Sequence, residues 1–271
     1  MSRASAMSLD EPMHPHWVDP DVAADPRHRL LTLRIALSHQ TGLPNWRGHS
    51  LDGKLAFHFA PGTAYEYSGE GYGYAAGFAE KKMGRSFEEL AQQVVFGPVG
   101  MTHTSFSWRE SMQGHLAIPL DSQGNWGVPQ VEATGQWNAA NNLITTAGDY
   151  ARFIASVMQG QGLDVRLAAE RLQPVPGQPG WDCQAEAAAD CPRDIAVVFG
   201  WKRLEFADGS TVFMHTGSKG RPGGERTLAY FDLRRERGVV VLTSGELGEA
   251  LYRDIVSLID PESAIARYRW N

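Results

Sequence analysis

The sequence predicts an α+β protein: a mostly helical region followed by an antiparallel sheet that carries a C-terminal helix. Apolar residues recur at helical spacing within residues 30–170. Residues 195–243 instead contain short β-rich runs joined by turn residues, the pattern of an antiparallel meander. A last helical run, about 247–259, ends before Pro261. Helices and loops therefore come first, and the sheet with its closing helix comes last.

Length and composition limit the class of protein. A chain of 271 residues can bury a large core, and we expect one domain over residues 1–271, with a mostly helical part at 30–170 and the sheet plus closing helix at 195–260. The net charge of −6 and the lack of a long Lys/Arg run argue against a nucleic-acid partner. No run of 18 apolar residues occurs, so we expect no membrane span. No motif indicates a metal or another cofactor, and we expect none.

Two capped helices are expected in the first third of the chain. Thr32 can cap a short helix that ends at Thr41-Gly42. Tyr67-Ser68-Gly69 precedes a second run of apolar and small residues at helical spacing, which continues to Met83 and closes at Gly84. These three residues therefore lie at a helix N-terminus, where outward-pointing backbone N–H groups favour negative charge.

Capping signals indicate two further helices. Ser86 and Glu89 form a capping box, and we expect the helix that they start to end at Gly97-Pro98. Thr146 with Asp149 marks the start of another helix, and apolar residues line one face of it.

The β-rich part of the chain is expected to form a sheet of consecutive strands. A hairpin signal at Asp208-Gly209 separates the first two runs, and short turns separate the others. Such short connections join antiparallel neighbours. The predicted strands cover residues 195–206, 211–214, 227–233 and 238–243.

His215-Thr216-Gly217-Ser218 follows the second of these strands, and a Gly-rich loop comes next. A basic or hydrogen-bonding side chain, a hydroxyl group and a glycine at a strand edge can hold a substrate and its developing oxyanion. A strand that ends in an ordinary turn gives the same pattern. These residues alone leave both interpretations open.

The cysteines lie in a segment rich in Pro, Gly and Ala, residues 173–194, which we expect to be a surface excursion. Cys183 and Cys191 are the only two in the chain. They either close a small loop as a disulfide or remain two free thiols, and two cysteines without further ligands do not make a zinc site.

Four ordered stretches together carry a family resemblance. Residues 33–44 are similar to the pattern R-x-L-L-S-H-T-S-G-L-P, and residues 61–72 to P-G-x-x-F-x-Y-S-N-x-G-Y. Residues 138–150 are similar to A-A-G-x-L-x-S-T-A-x-D-L, and His215-Thr216-Gly217 stands where K-T-G or H-x-G is found. Over roughly residues 8–258 the chain resembles the serine β-lactamase/penicillin-binding-protein-like hydrolases, in particular class C-like β-lactamases, D-aminopeptidases and esterases.

The resemblance implies a β-lactamase/transpeptidase-like fold and a set of site residues. Tyr67 matches the tyrosine that acts as general base or proton shuttle, although the residue by itself also fits an aromatic side chain that packs beside Tyr65. His215 stands where a Lys or His assists that tyrosine and contacts the substrate. The substrate-binding residues that the resemblance implies are Ser68, Gly69, Thr216, Gly217 and Ser218.

Two departures from the family pattern affect the chemistry. Gly69 replaces the usual Asn, which removes an amide that contacts the substrate. No serine has a lysine three residues later, so the S-x-x-K nucleophile motif is absent from the 271 residues. Thr216 and Lys219 have this spacing, but they are predicted on a strand edge and are a poor substitute. Residues 8–12 resemble the segment that follows the nucleophile helix, so we expect an N-terminally incomplete chain.

The function implied by the resemblance is serine-type hydrolysis of an amide, β-lactam or ester through an acyl-enzyme. The expected partner is a small-molecule amide, lactam, ester or short peptide. Two alternatives to an incomplete chain stay open: a catalytically inactive protein that keeps the cleft as a ligand-binding site, and a nucleophile from elsewhere in this chain or from a partner.

Overall fold

A five-stranded antiparallel sheet forms the second half of the protein in a computed structural model that describes residues 7–175, 191–219 and 224–268. Each strand pairs with the next along the chain, so the sheet order equals the chain order and the predicted meander is confirmed. The strands are β1 (Asp194–Val198), β2 (Trp201–Glu205), β3 (Thr211–Ser218), β4 (Arg226–Asp232) and β5 (Arg237–Thr243).

The sequence prediction was wrong about the number and length of the strands. The single run expected at 195–206 divides into β1 and β2, because Gly200 turns the chain with a φ of 79°. β3 continues to Ser218 instead of ending at Met214, because β4 pairs with it along that whole length. His215-Thr216-Gly217-Ser218 therefore belongs to the strand and does not follow it.

Seven α-helices are described, the predicted N-caps at Thr32, Ser86 and Thr146 are confirmed, and Ser68, predicted to lie at a helix N-terminus, is also an N-cap. The side chains of Thr32, Ser68, Ser86 and Thr146 each accept a hydrogen bond from a backbone N–H in the first helical turn. The helices are α1 (Leu33–Leu37), α2 (Gly69–Met83), α3 (Phe87–Ala91), α4 (Gly97–Val99), α5 (Ala147–Met158), α6 (Val165–Glu170) and α7 (Tyr252–Ile259).

The predicted helix end at Gly97-Pro98 was wrong. A π-helical segment, Gln92–Phe96, joins α3 to α4, and the helical path ends at Gly100, whose φ is 77°. Pro98 lies at the start of α4, directly after this π-helical segment.

The sheet buries both of its faces. One face packs on α7, through a cluster that includes Leu204, Met214, Leu228, Tyr230 and Val256. The other face packs on α5, through Ile154, Val157, Trp201, Phe213 and Phe231. Each fully buried side chain of this kind contributes about 1.5–3 kcal/mol. A separate cluster around Phe78 and Leu31 holds α1 and α2 together.

The turn between β1 and β2 connects the sheet to the helical region. The Tyr72 hydroxyl of α2 donates to the carbonyl of Leu37 at 3.1 Å and receives a backbone hydrogen bond from Gly200. The Arg34 guanidinium of α1 lies 5.9 Å from the centre of the Phe199 ring. These contacts place β3 beside the N-terminus of α2.

Two further predictions concern the cysteine-containing segment and the absence of a membrane span. Cys191 is disulfide-bonded, whereas Cys183 and most of the predicted excursion at 173–194 lie outside the described residues. None of the described helices is both long enough and apolar enough to cross a membrane.

Candidate active site

Tyr67 lies directly before the N-cap of α2, and 46% of its surface is exposed. Burial of the rest of the side chain raises the pKa of Tyr67 above its ordinary value. The phenol is therefore protonated at neutral pH and can donate a hydrogen bond or a proton. It is not a ready-made phenolate base.

The hydroxyl group of Ser68 has a structural role. The side chain is completely buried, donates to the Pro44 carbonyl at 2.8 Å and accepts from the Gly71 N–H at 2.9 Å. It thus anchors α2 to the loop after α1. A substrate contact by Ser68 stays a prediction, and its side chain offers no free group for one.

Gly69 allows a tryptophan to occupy the space next to it. A Cβ atom at Gly69 would lie 2.7 Å from the ring of Trp46, closer than atoms in proteins approach. The Gly69 N–H donates to Asn45 Oδ1 at 2.9 Å. The family's Asn therefore does not fit in this chain, because the indole of Trp46 fills the space where its side chain would begin.

His215 lies on β3 directly opposite Ala229 of β4, so both side chains are on the sheet face that packs on α5. The His215 Nδ1 is 2.7 Å from the Thr216 carbonyl oxygen, which can only accept. Nδ1 therefore carries the proton, and Nε2 keeps a free lone pair. Burial lowers the pKa of His215, and the positive charge of Lys202 on β2 lowers it further.

One edge of β3 is free of a strand partner beside His215. The last pair between β2 and β3 is Lys202 with Met214, whereas the residues from His215 to Ser218 pair only with β4 in the described part of the sheet. Their backbone groups on that edge are available to a ligand. Gly217 is required here because a Cβ atom would overlap with the hydroxyl group of Thr227.

His39 lies against the candidate site residue Tyr67, and the site prediction did not include it. Its ring lies on the ring of Tyr67 with 4.3 Å between the centroids, and its Nδ1 accepts the backbone N–H of Ser68 at 3.1 Å. Burial lowers the pKa of His39 to about 4, and His215 also lowers it. The imidazole is therefore neutral, with its proton on Nε2.

Tyrosine rings surround His39 on several sides. The ring centres of Tyr72 and Tyr65 lie 5.1 and 6.0 Å from that of His39. Burial raises the pKa of Tyr65 to about 12, so this phenol is protonated too. The only sequence signal for this arrangement was the position of His39 in the first family-like stretch, which indicates that the residue matters but not what it contacts.

The structure places the uncharged phenol of Tyr67 against the neutral imidazole of His39, and His215, at the free edge of β3, is close enough to lower the pKa of His39. Within the described residues, no hydroxyl group hydrogen bonds to Tyr67 or His215, and no three side chains form a metal site. Lys219 is not paired with Thr216, because its ammonium donates to the Gln130 carbonyl at 2.8 Å and to Asn142.

The His39→Asn variant tests the neutral state of this histidine. Above pH 6.5, the pKa of histidine in the unfolded chain, His39 is neutral in both the folded and the unfolded protein. As the pH falls from 6.5 to about 4, only the unfolded chain takes up this proton, so the free energy of unfolding decreases. This pKa shift of His39 lowers the free energy of unfolding by on the order of 3 kcal/mol over that pH range. Asparagine tolerates the left-handed backbone of residue 39, where φ is 57°. We expect urea unfolding to show a smaller loss of stability between pH 6.5 and 4 for His39→Asn. An equal loss in both proteins would contradict this assignment.

The Gly69→Asn variant tests the contact with Trp46. We expect it to destabilise the protein by about 1–3 kcal/mol, because the new side chain overlaps with the indole. Gly73→Ala is the matched control on the same helix, since a Cβ atom there has no neighbour within 4 Å. Thermal unfolding of both variants measures the difference, and combining Gly69→Asn with Trp46→Ala should restore part of the stability. A fully stable Gly69→Asn protein would exclude the overlap.

Comparison with known proteins gives a family and a set of relatives. The family model described as Beta-lactamase matches residues 3–258. Lovastatin esterase from Penicillium rubens is 23% identical over 176 residues, which cover 54% of this chain and 44% of that protein. D-aminopeptidase from Gluconobacter oxydans is 39% identical over 51 residues, 19% of this chain and 10% of that protein. The chain matches less than half the length of these curated relatives.

Solved structures share the fold. The D-stereospecific amidohydrolase from Streptomyces sp. superposes with a TM-score of 0.72 at 16% identity, covering 95% of this chain and 81% of that chain. The octameric penicillin-binding protein homologue from Pyrococcus abyssi gives a TM-score of 0.69 at 16% identity, covering 97% of this chain and 62% of that chain. These similarities establish the β-lactamase/transpeptidase-like fold.

Proposed function

Because the chain belongs to the beta-lactamase family, whose members act on amides, esters or peptides, we propose that the site of Tyr67 and His215 serves hydrolysis of an amide, a β-lactam or an ester through an acyl-enzyme. The observation that carries the proposal is the stack of Tyr67 on His39 beside His215. Uncharged groups that can give or take a proton and lie close together can take part in general acid–base catalysis.

The tautomer of His215 and the protonated phenol of Tyr67 give these two residues different roles. In the acylation step a serine hydroxyl attacks the substrate carbonyl, its proton passes to the free Nε2 of His215, and a C–O bond forms. Tyr67 donates its phenolic proton to the leaving nitrogen or oxygen as the bond to the carbonyl carbon breaks, and it is reprotonated by His215. Water then repeats the sequence to release the acid.

The oxyanion that forms in this step needs hydrogen-bond donors. The free edge of β3 at Thr216, Gly217 and Ser218 offers backbone groups without a strand partner on that side in the described sheet. Backbone N–H groups in such positions stabilise a tetrahedral intermediate by about 3–4 kcal/mol each. This supports the substrate-binding role proposed for these residues.

No sequence motif in the 271 residues identifies the nucleophile that the proposed reaction requires. The 271 residues contain no S-x-x-K, which favours a second candidate function: binding of an amide or ester ligand in the same site without turnover.

Hydrolysis assays on the purified 271-residue chain separate the two functions. We propose p-nitrophenyl acetate and nitrocefin as substrates, together with a fluorophosphonate that labels reactive serines covalently. Turnover with a covalent label supports the acyl-enzyme. Absence of both turnover and label would overturn hydrolysis by this chain and leave the binding function, which saturable binding of an uncleaved ester analogue would then establish.

A further inference from the structure

A groove with tryptophan walls runs along α2, starting at Gly69 and leading away from Tyr67. Trp17, Trp46 and Trp137 line it, and each is half-buried. Its volume is about 390 Å³, within the range of sites that bind small molecules. Three large aromatic side chains around one cavity expose flat apolar faces that suit a flat ring.

Three glycines of α2, Gly69, Gly73 and Gly77, line this groove, and one of them has no packing explanation. Gly69 and Gly77 are needed because a Cβ atom would lie 2.7 Å from Trp46 and 3.0 Å from Trp17 respectively. At Gly73 a Cβ atom would meet no atom within 4 Å. A glycine inside a helix costs about 1 kcal/mol relative to alanine. The glycine at position 73 keeps the space between the tryptophan side chains empty despite this cost in stability. A bound ligand requires such an empty space.

Glu80 gives the groove a specific polar group. Its Oε1 accepts both the indole N–H of Trp137 and the backbone N–H of Phe87, each at 2.7 Å. Within the described chain, Oε2 of the same carboxylate has no hydrogen-bond partner, although Glu80 lines the cavity. The carboxylate is thus held in place by one oxygen and offers the other to a donor.

The remaining charges of the groove are mostly neutralised. Arg47 pairs with Asp19 at 2.9 Å and with Glu70 at 3.0 Å. The exposed Lys81 has its ammonium 6.0 Å from the centre of the Trp17 ring. With three carboxylates and two cations lining the cavity, its net charge is −1. This favours a ligand with one positive charge.

We propose that this groove binds a ligand that combines an aromatic ring with a primary amine. The ring lies between the indoles above Gly73, and the ammonium donates to Glu80 Oε2 while the aromatic faces attract its charge. The helix rises about 12 Å between Gly69 and Gly77, so the groove suits an elongated molecule. That its other end reaches Tyr67, as an arm of the substrate, rests on the proposed function.

Phenethylamine is the probe that tests the groove, at pH about 7 where it is protonated. Titration followed by tryptophan fluorescence should show saturable binding with a Kd of about 1 mM, as expected for so small a molecule. Phenethyl alcohol and phenylacetate have the same ring with a neutral and a negative end. We expect both to bind about tenfold more weakly or worse.

Gly73→Leu places a larger side chain in the groove, at a position where the first added atom, the Cβ, meets no other atom within 4 Å. We expect it to weaken phenethylamine binding by about tenfold or more, with an unchanged or raised Tm. Gly148→Leu is the matched control: it is an exposed helical glycine in α5, with its nearest neighbours 3.9 Å from the new Cβ atom, and it should leave binding unchanged. If Gly73→Leu does not fold, the smaller Gly73→Ala replaces it.

Glu80→Gln keeps the acceptor for Trp137 and removes the charge. It should weaken phenethylamine about tenfold and leave phenethyl alcohol unaffected. Equal binding of the amine and phenylacetate to the unaltered protein, or unchanged amine binding in Gly73→Leu, would overturn the proposal. None of these measurements depends on hydrolysis. Binding of phenethylamine by a chain that hydrolyses no substrate would support the ligand groove and contradict the proposed hydrolytic function.

Discussion

Replacing Tyr67 with phenylalanine is expected to lower kcat/KM of the proposed hydrolysis by about 10²–10⁴-fold and to leave the fold intact. The variant keeps the ring that stacks on His39 at 4.3 Å, so the local packing survives. It removes the protonated phenol that would pass a proton to the leaving group. Steady-state kinetics with p-nitrophenyl acetate measures the loss, and thermal unfolding confirms that the protein is folded.

Tyr65→Phe is the matched control for this experiment. Tyr65 is two residues away, also faces His39 with 6.0 Å between ring centres, and has a protonated phenol with a pKa raised to about 12. Without a role in proton transfer, its removal should cost less than about tenfold in kcat/KM. Equal losses in both variants would mean that the phenols act only through packing, and full activity of Tyr67→Phe would remove Tyr67 from the mechanism.

Replacing Asp260 with alanine is expected to destabilise the protein by about 3–5 kcal/mol. Only 1% of Asp260 is exposed at the end of α7, and its carboxylate accepts from the Tyr230 hydroxyl at 2.9 Å and from Arg235 at 2.8 Å, with Arg237 at 3.2 Å. Losing the carboxylate leaves the Tyr230 hydroxyl without its acceptor, and it leaves Arg235 with the more distant and exposed Glu262 at 3.6 Å. Urea unfolding measures the effect.

Asp254→Ala is the control on the same helix. Asp254 is exposed in the first turn of α7, where a carboxylate contributes less than about 1 kcal/mol. Asp260→Asn should fall between the two alanine variants, because it keeps an acceptor for Tyr230 and loses the charge that Arg235 needs. A loss below about 1 kcal/mol for Asp260→Ala would show that water replaces the carboxylate and that this ion pair does not hold α7 in place.

Local signals predicted most of the secondary structure. The N-caps at Thr32, Ser86 and Thr146 were correct because a cap forms between residues two or three positions apart. The meander followed from short turns between β-rich runs for the same reason. The errors occurred where a neighbour decided the outcome: β4 extends β3, and a π-helical segment carries the helix past Gly97-Pro98.

The sequence by itself determined the family-like motifs of this protein, and with them Tyr67 and His215 as candidate site residues. Only the tertiary structure decided that His39 lies on Tyr67 with its proton on Nε2, and that Trp46 explains Gly69. These contacts join residues that are far apart in the chain. Tautomer, burial and pKa depend on which groups meet in space, and no local spacing encodes that meeting.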